Sequence, residues 1–116
     1  MFADRIDRFE SAYRNAVDSL AELARNLTIC TIYNGALPPD QARVAKVALM
    51  AFNDVILRVA FEHHANVVDL RMICADPADY ANPIEPSGIG GQKIAQAIGR
   101  TVGALPGAQF SRVSAG

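Results

Sequence analysis

Leu27-Thr28-Ile29-Cys30-Thr31-Ile32-Tyr33 and Asn66-Val67-Val68-Asp69-Leu70-Arg71 are the two stretches that decide the fold. The first is rich in β-branched residues and is closed by Asn34-Gly35 and Pro38-Pro39, which marks a short strand. Its lack of polar alternation suits a strand buried on both faces. Between the two stretches, Asp40 stands where a helix N-cap is expected, and the helix then runs to about His63. Val44, Val47, Ala48, Ala51, Phe52, Val55, Ile56, Val59 and Ala60 give it a wide apolar face. A strand, a long helix and a second strand form a βαβ unit, whose strands are parallel and whose crossover is right-handed.

Outward from this unit, Ile6, Phe9, Tyr13, Ala16, Leu20, Leu23 and Leu27 recur at spacings of three and four. That spacing predicts an amphipathic helix over about Ala3 to Asn26. On the other side, a stretch from about Ile73 to Pro86 holds Pro77, Pro83 and Pro86 without a clear period. Structureless connections of that length are uncommon in compact domains and often carry function. Ser87 reads as an N-cap, followed by a helix from Gly88 to about Val102 and a small, polar tail over 104–116 expected to be flexible. The element order is α-β-α-β-α, with two parallel strands and three helices. Two parallel strands leave at least one edge unpaired, expected on Leu27–Tyr33, and an unpaired edge invites a partner strand.

Composition narrows the classes of function. The chain has 116 residues, 51% hydrophobic and 20% charged, which suits one domain or part of one. Its 11 basic and 12 acidic side chains leave a net charge of −1, so neither nucleic acid nor an anionic membrane surface is an expected partner. No apolar run approaches the ~20 residues of a membrane helix, and Met1-Phe2-Ala3-Asp4-Arg5 lacks the apolar core of a signal peptide. A cytoplasmic location is the expectation. Cys30 and Cys74 are the two cysteines, expected as buried thiols rather than a disulfide.

The stretch with the most specific pattern runs from Asp79 to Ala95, and contains Asn82-Pro83-Ile84-Glu85-Pro86-Ser87-Gly88-Ile89-Gly90. It resembles the last conserved block of the SGNH (GDSL-type) esterase and lipase family. That block reads Asp-x-x-His-Pro, a small polar residue, two variable residues, Gly, three variable residues, an aliphatic residue and Ala. Pro86, Ser87, Gly90, Ile94 and Ala95 fall at the matching places. The two strands and the helix containing Phe52-Asn53-Asp54 are similar to the last elements of the family's domain, so the resemblance covers most of Ala3 to Val102.

The resemblance implies a fold, the C-terminal half of a flavodoxin-like three-layer α/β/α domain over residues 1–103. It implies ester hydrolysis without metal or organic cofactor. It also implies the site positions: Glu85 stands where the family has its general-base His, and Asn82 where it has the orienting Asp. An Asp in that role fixes the imidazole tautomer and stabilises the imidazolium. Asn82 has no such charge, and a carboxylate is a far weaker base than imidazole at neutral pH. The family's Gly-Asp-Ser nucleophile block and its Gly-x-Asn-Asp oxyanion block have no counterpart here. Val17-Asp18-Ser19-Leu20 lies in a helical pattern with no glycine, and Phe52-Asn53-Asp54 also lies within a helix. An acyl-transfer site needs nucleophile, base and oxyanion donors around one reacting centre. The chain alone is therefore expected to be inactive, and a small ester is a substrate only if an N-terminal half is supplied.

The alternative is a non-catalytic module that self-associates through its unpaired strand edge into a homo-oligomer. Other residues have plainer readings. His63-His64 are adjacent, diverge on a helix and make a poor metal pair. Asp69 ends a strand, where a structural role is the common one. Arg71 is read as salt-bridging or solvated, and Gly88-Ile89-Gly90-Gly91 as a helix start rather than a phosphate loop.

Overall fold

The computed structural model describes residues 1–103 and 113–115. Helix α1 spans Phe2–Leu23 and α2 spans Pro39–Glu62. A short α3 covers Leu70–Ile73, a single 3-10 turn Pro77–Asp79, and α4 Gly88–Val102. Three strands, β1 (Thr28–Cys30), β2 (Asn66–Val68) and β3 (Val113–Ser114), form one parallel sheet in the order β1-β2-β3. Thr28 pairs with Asn66 and Cys30 with Val68, while Val67 and Val68 pair with Val113 and Ser114.

The fold is α/β, as the βαβ pattern requires, but two counts differ from expectation. The strands are three rather than two, because Val113–Ser114, in the stretch read as tail, pairs with β2; residues 104–112 and 116 lie outside the described residues. The α-helices are four rather than three. The second strand stops at Val68 because Asp69 turns its side chain onto the Arg71 N–H and caps α3. A capping side chain competes with the ladder for the backbone, and here it wins.

Helix ends moved for similar local reasons. Helix α2 starts at Pro39 with Pro38 in the capping position, so Asp40 lies in the first turn and is not the N-cap. Proline has a preset helical φ and no N–H to satisfy, which suits the first helical position. At the other end His64 adopts φ 54°. Its N–H donates to Phe61 O at 3.1 Å, and the Ala65 N–H donates to Ala60 O at 2.9 Å. This is the paired closure of a helix through a left-handed residue.

Alternation along the strands sends neighbours to opposite faces. Ile29 and Val67 pack with Val55, Val59 and Ala60 of α2 and with Val17 of α1. Cys30 and Val68 pack with Leu70, Ile73 and Ala97 on α3 and α4. Val67 and Val68 are completely buried, which stabilises the fold by about 1.5–3 kcal/mol each. Helices α1 and α2 run side by side in the same direction. Phe9 meets Phe52 edge-on at 5.0 Å, Glu10 pairs with Arg58 at 2.8 Å, Arg14 pairs with Glu62, and His63 Nε2 lies 2.8 Å from Asp18. Arg58 and then Arg14 hold the Glu10 carboxyl down to about 2. No helix among the described residues is long and apolar enough to cross a membrane.

Candidate functional site

In parallel α/β sheets, ligands bind beyond the carboxyl ends of the strands. Here that end is enclosed by the β1–α2 connection and by the turn that precedes α4. Between them lies a cleft of about 470 Å³. Thr31, Tyr33, Asn34 and Leu37 form one wall, Pro83 and Ile84 the other, and Leu49 and Leu70 also line it. The cleft is mainly apolar, with few polar groups, as small-molecule sites commonly are.

Its floor is a buried polar network. The Thr31 hydroxyl donates to Asp69 Oδ1 at 2.9 Å and accepts from the Leu70 N–H at 2.9 Å. Arg71 closes on the same carboxylate through Nε at 2.9 Å and a terminal nitrogen at 2.8 Å. The guanidinium holds the Asp69 carboxyl below its ordinary value, against the opposing effect of burial, and Thr31 adds to the lowering. Asp69 is thus a structural node with its oxygens engaged, as expected for a strand-end Asp.

The two walls are stitched together by backbone. Gly35 takes φ +79°, and its N–H donates to the Tyr80 hydroxyl at 3.2 Å. That hydroxyl donates in turn to Cys74 O at 2.6 Å. The Ala36 N–H donates to Pro83 O at 2.9 Å. A Cβ on Gly35 would lie 2.6 Å from Pro83 O, so this approach needs glycine twice over, for its φ and for space.

The turn itself carries the two expected site positions. Asn82 Oδ1 accepts from the Ile84 N–H at 2.9 Å and the Glu85 N–H at 2.8 Å. The Ala81 N–H donates to Glu85 O at 2.9 Å, and Tyr80 and Pro86 form a bridge beneath. This is an Asx-type turn. Asn82 and Glu85 are brought together, but through the Glu85 backbone, and both residues are exposed. Pro83 and Ile84, between them in sequence, line the cleft, whereas Asn82 and Glu85 do not.

Below the turn, Ser87 caps α4 by accepting from the Gly90 N–H at 3.2 Å, and its hydroxyl donates to Ala78 O at 2.7 Å. A Cβ on Gly90 would stand 2.0 Å from Asp79 O. The Asp79 side chain is fully buried. Its Oδ2 accepts from the Asp76 N–H at 3.1 Å, and Lys93 Nζ pairs with its Oδ1 at 2.8 Å. The ammonium holds the Asp79 carboxyl below its ordinary value, and Asp79 raises Lys93 in return. These contacts clamp the turn onto α4.

Sequence reading missed Asn53, Tyr80 and the Asp79–Lys93 pair. Asn53 is fully buried, accepts from the Ile32 N–H at 2.8 Å and donates to Ile32 O at 3.0 Å. The available signal was an amide among apolar residues on the inward face of α2. His63 and His64 end α2 as a cap and a left-handed residue, and no group of three His, Cys, Asp or Glu among the described residues could hold a metal. Cys30 and Cys74 are free thiols, Cys74 buried and Cys30 partly so. A more open groove of about 710 Å³ lies where α2 outruns α1, lined by Phe2, Asp40, Arg43, Val44, Val47 and Ala48. Comparisons with protein-family models, curated proteins and solved structures found no match to this chain.

Proposed function

We propose that the chain is the C-terminal half of an SGNH (GDSL-type) hydrolase-like domain, partial and three-layered in the flavodoxin-like manner. Ester hydrolysis is then the reaction the fold descends from. The observation that carries this reading is the position of the Asn82–Glu85 turn. It overhangs the carboxyl ends of β1 and β2, beside the 470 Å³ cleft. Helices packed against both faces of the sheet support it further. So do the motif positions that turned out structural: Ser87 as the cap of α4 and Gly90 as the point of contact with Asp79.

The chain by itself does not hydrolyse esters on this reading. It offers a place for a base and none for a nucleophile or an oxyanion. Asn82 Oδ1 is engaged by backbone N–H groups, so it orients the turn rather than a base.

Two experiments test it. The purified chain, given a short-chain nitrophenyl ester, is expected to show no turnover above buffer. Turnover abolished by Glu85→Ala would overturn the inactive assignment. Sequencing the gene upstream of Met1 is expected to show an in-frame Gly-Asp-Ser-Leu-like block followed by Gly-x-Asn-Asp. A stop codon directly before Met1 would remove the half-domain reading.

A further inference from the structure

Asn34-Gly35 is the one Asn–Gly pair in the chain, and the fold leaves no choice about its second member. Gly35 takes φ +79°, and a Cβ there would stand 2.6 Å from Pro83 O, so no residue with a side chain fits. The first member is held far less firmly. Asn34 is half-buried in the wall of the cleft, and its side-chain amide makes no hydrogen bond to the described residues. An asparagine followed by glycine is the pair most open to succinimide formation, because no side chain shields the glycine nitrogen. Here that nitrogen is engaged. The Gly35 N–H donates to the Tyr80 hydroxyl at 3.2 Å, at the long end of such bonds, and the hydroxyl gives its own proton to Cys74 O at 2.6 Å.

We propose that Asn34-Gly35 is a site of spontaneous deamidation, and that the Tyr80 hydroxyl is its brake. In the step, a solvent base takes the Gly35 amide proton and the nitrogen attacks Asn34 Cγ. The bond from Cγ to Nδ2 breaks, and ammonia leaves with a proton from solvent, giving a succinimide. Water then opens the ring at either carbonyl and leaves an aspartyl or isoaspartyl residue at position 34. The Gly35 nitrogen cannot attack while its proton is held by Tyr80, so the rate follows the opening of that bond. Burial pushes the Tyr80 phenol above its ordinary value, so Tyr80 keeps its proton and holds the amide instead of deprotonating it. Both products change the cleft. No lining side chain among the described residues is charged, and either product sets a carboxylate in the wall. The isoaspartyl form also adds a carbon to the main chain, next to the Gly35–Tyr80 and Ala36–Pro83 bonds that join the two walls. A neutral cleft thereby becomes anionic and looser. This site rests on the geometry of the cleft and not on the hydrolase reading.

The test is to hold the full chain in mildly alkaline buffer and follow the acidic form by ion exchange, with peptide mass mapping to place it. The expected result is conversion at position 34, slower than in the urea-unfolded chain. Asn34→Gln, whose longer side chain closes a less favourable ring, is expected to show none at that position. Tyr80→Phe removes the brake and is expected to convert about fivefold faster, the factor that one hydrogen bond is worth. Circular dichroism checks that it folds. Hydrogen exchange in the wild-type chain reads the same bond without a variant: the Gly35 amide is expected to exchange more slowly than a free one. A folded chain that keeps its amide at position 34 while the unfolded chain loses it overturns the site. A folded Tyr80→Phe that converts at the wild-type rate, or a Gly35 amide that exchanges as fast as a free one, overturns the brake.

Discussion

Asn53 presents its amide to the Ile32 peptide as a neighbouring strand would, accepting from its N–H at 2.8 Å and donating to its C=O at 3.0 Å. One side chain from α2 thereby ends the edge of β1, which has no strand beside it among the described residues. Asn53→Leu keeps the volume and leaves both Ile32 groups without a partner. A loss of about 2–4 kcal/mol is expected, measured by urea unfolding. A loss below ~0.5 kcal/mol would show that the cap is dispensable.

Gly90 and Gly91 are neighbours on one helix with opposite surroundings. A Cβ on Gly90 meets Asp79 O at 2.0 Å, and one on Gly91 meets nothing within 4 Å. Gly90→Ala is expected to cost about 2 kcal/mol or more, since the helix or the Asp79 backbone must move. Gly91→Ala is expected to gain about 0.4–1 kcal/mol, because alanine restricts the unfolded chain. Thermal unfolding of the pair checks both signs.

The roles of Asn82 and Glu85 separate by substitution. Asn82→Ala removes an acceptor used by two N–H groups and is expected to cost about 1 kcal/mol. Asn82→Asp keeps that acceptor and is expected to be close to wild type. Glu85→Ala, at an exposed side chain, is expected within about 0.5 kcal/mol of wild type. Equal losses in Asn82→Ala and Asn82→Asp would show that the turn does not rest on this oxygen.

The Asp79–Lys93 pair gives stability two pH limits. Asp79 titrates below its ordinary value of 3.8 in the fold. Its contribution is therefore present above that value and lost as pH falls through the folded value. Lys93 titrates above its ordinary 10.5, so its contribution is present below that value and lost as pH rises through the folded one. Lys93→Met is expected to lower the Tm at pH 7 and to flatten the acid limb. An acid limb as steep as wild type would assign it to other carboxylates, Asp69 and Glu10 first.

His64 holds a left-handed conformation at φ 54°, where a side chain is disfavoured and glycine is not. His64→Gly is expected to be neutral or to stabilise by up to about 1 kcal/mol, measured by the same urea titration. A clear destabilisation would give the imidazole a contact beyond helix termination.

Elements with a strong period were readable before any coordinates. The alternating stripe of α1, the wide face of α2 and the Ser87 start of α4 all depend on neighbours in sequence. What escaped depends on partners far away in the chain. Asn53 meets Ile32 across the β1–α2 connection, and Asp79 meets Lys93 across the turn. Nothing in the local pattern of either residue names its partner. Strand β3 is two residues long, too short to show alternation. Asp69 looked like a strand end and is a cap, because one side chain suits both and only the Arg71 contacts decide between them. For the candidate site, the motif spacing singled out Asn82 and Glu85, but not the use of Asn82 Oδ1 as the acceptor of a tight turn, which is a matter of geometry within four residues.

Strand β2 is the middle of the sheet, flanked by β1 earlier in the chain and by β3 beyond α4. The first pairing closes through one continuous crossover, whereas the second waits for the whole of α4. Loop closure and synthesis therefore impose the same sequence of events. The β1–α2–β2 unit is expected to assemble first, and the β3 contact, including the 2.7 Å bond from the Asp69 N–H to Ser114 O, to be added last. Pulse-labelled hydrogen exchange during refolding reads this order directly: the Thr31 amide, bonded to Val68 O, is expected to gain protection before that of Asp69, and the reverse order would mean that β3 docking nucleates the sheet.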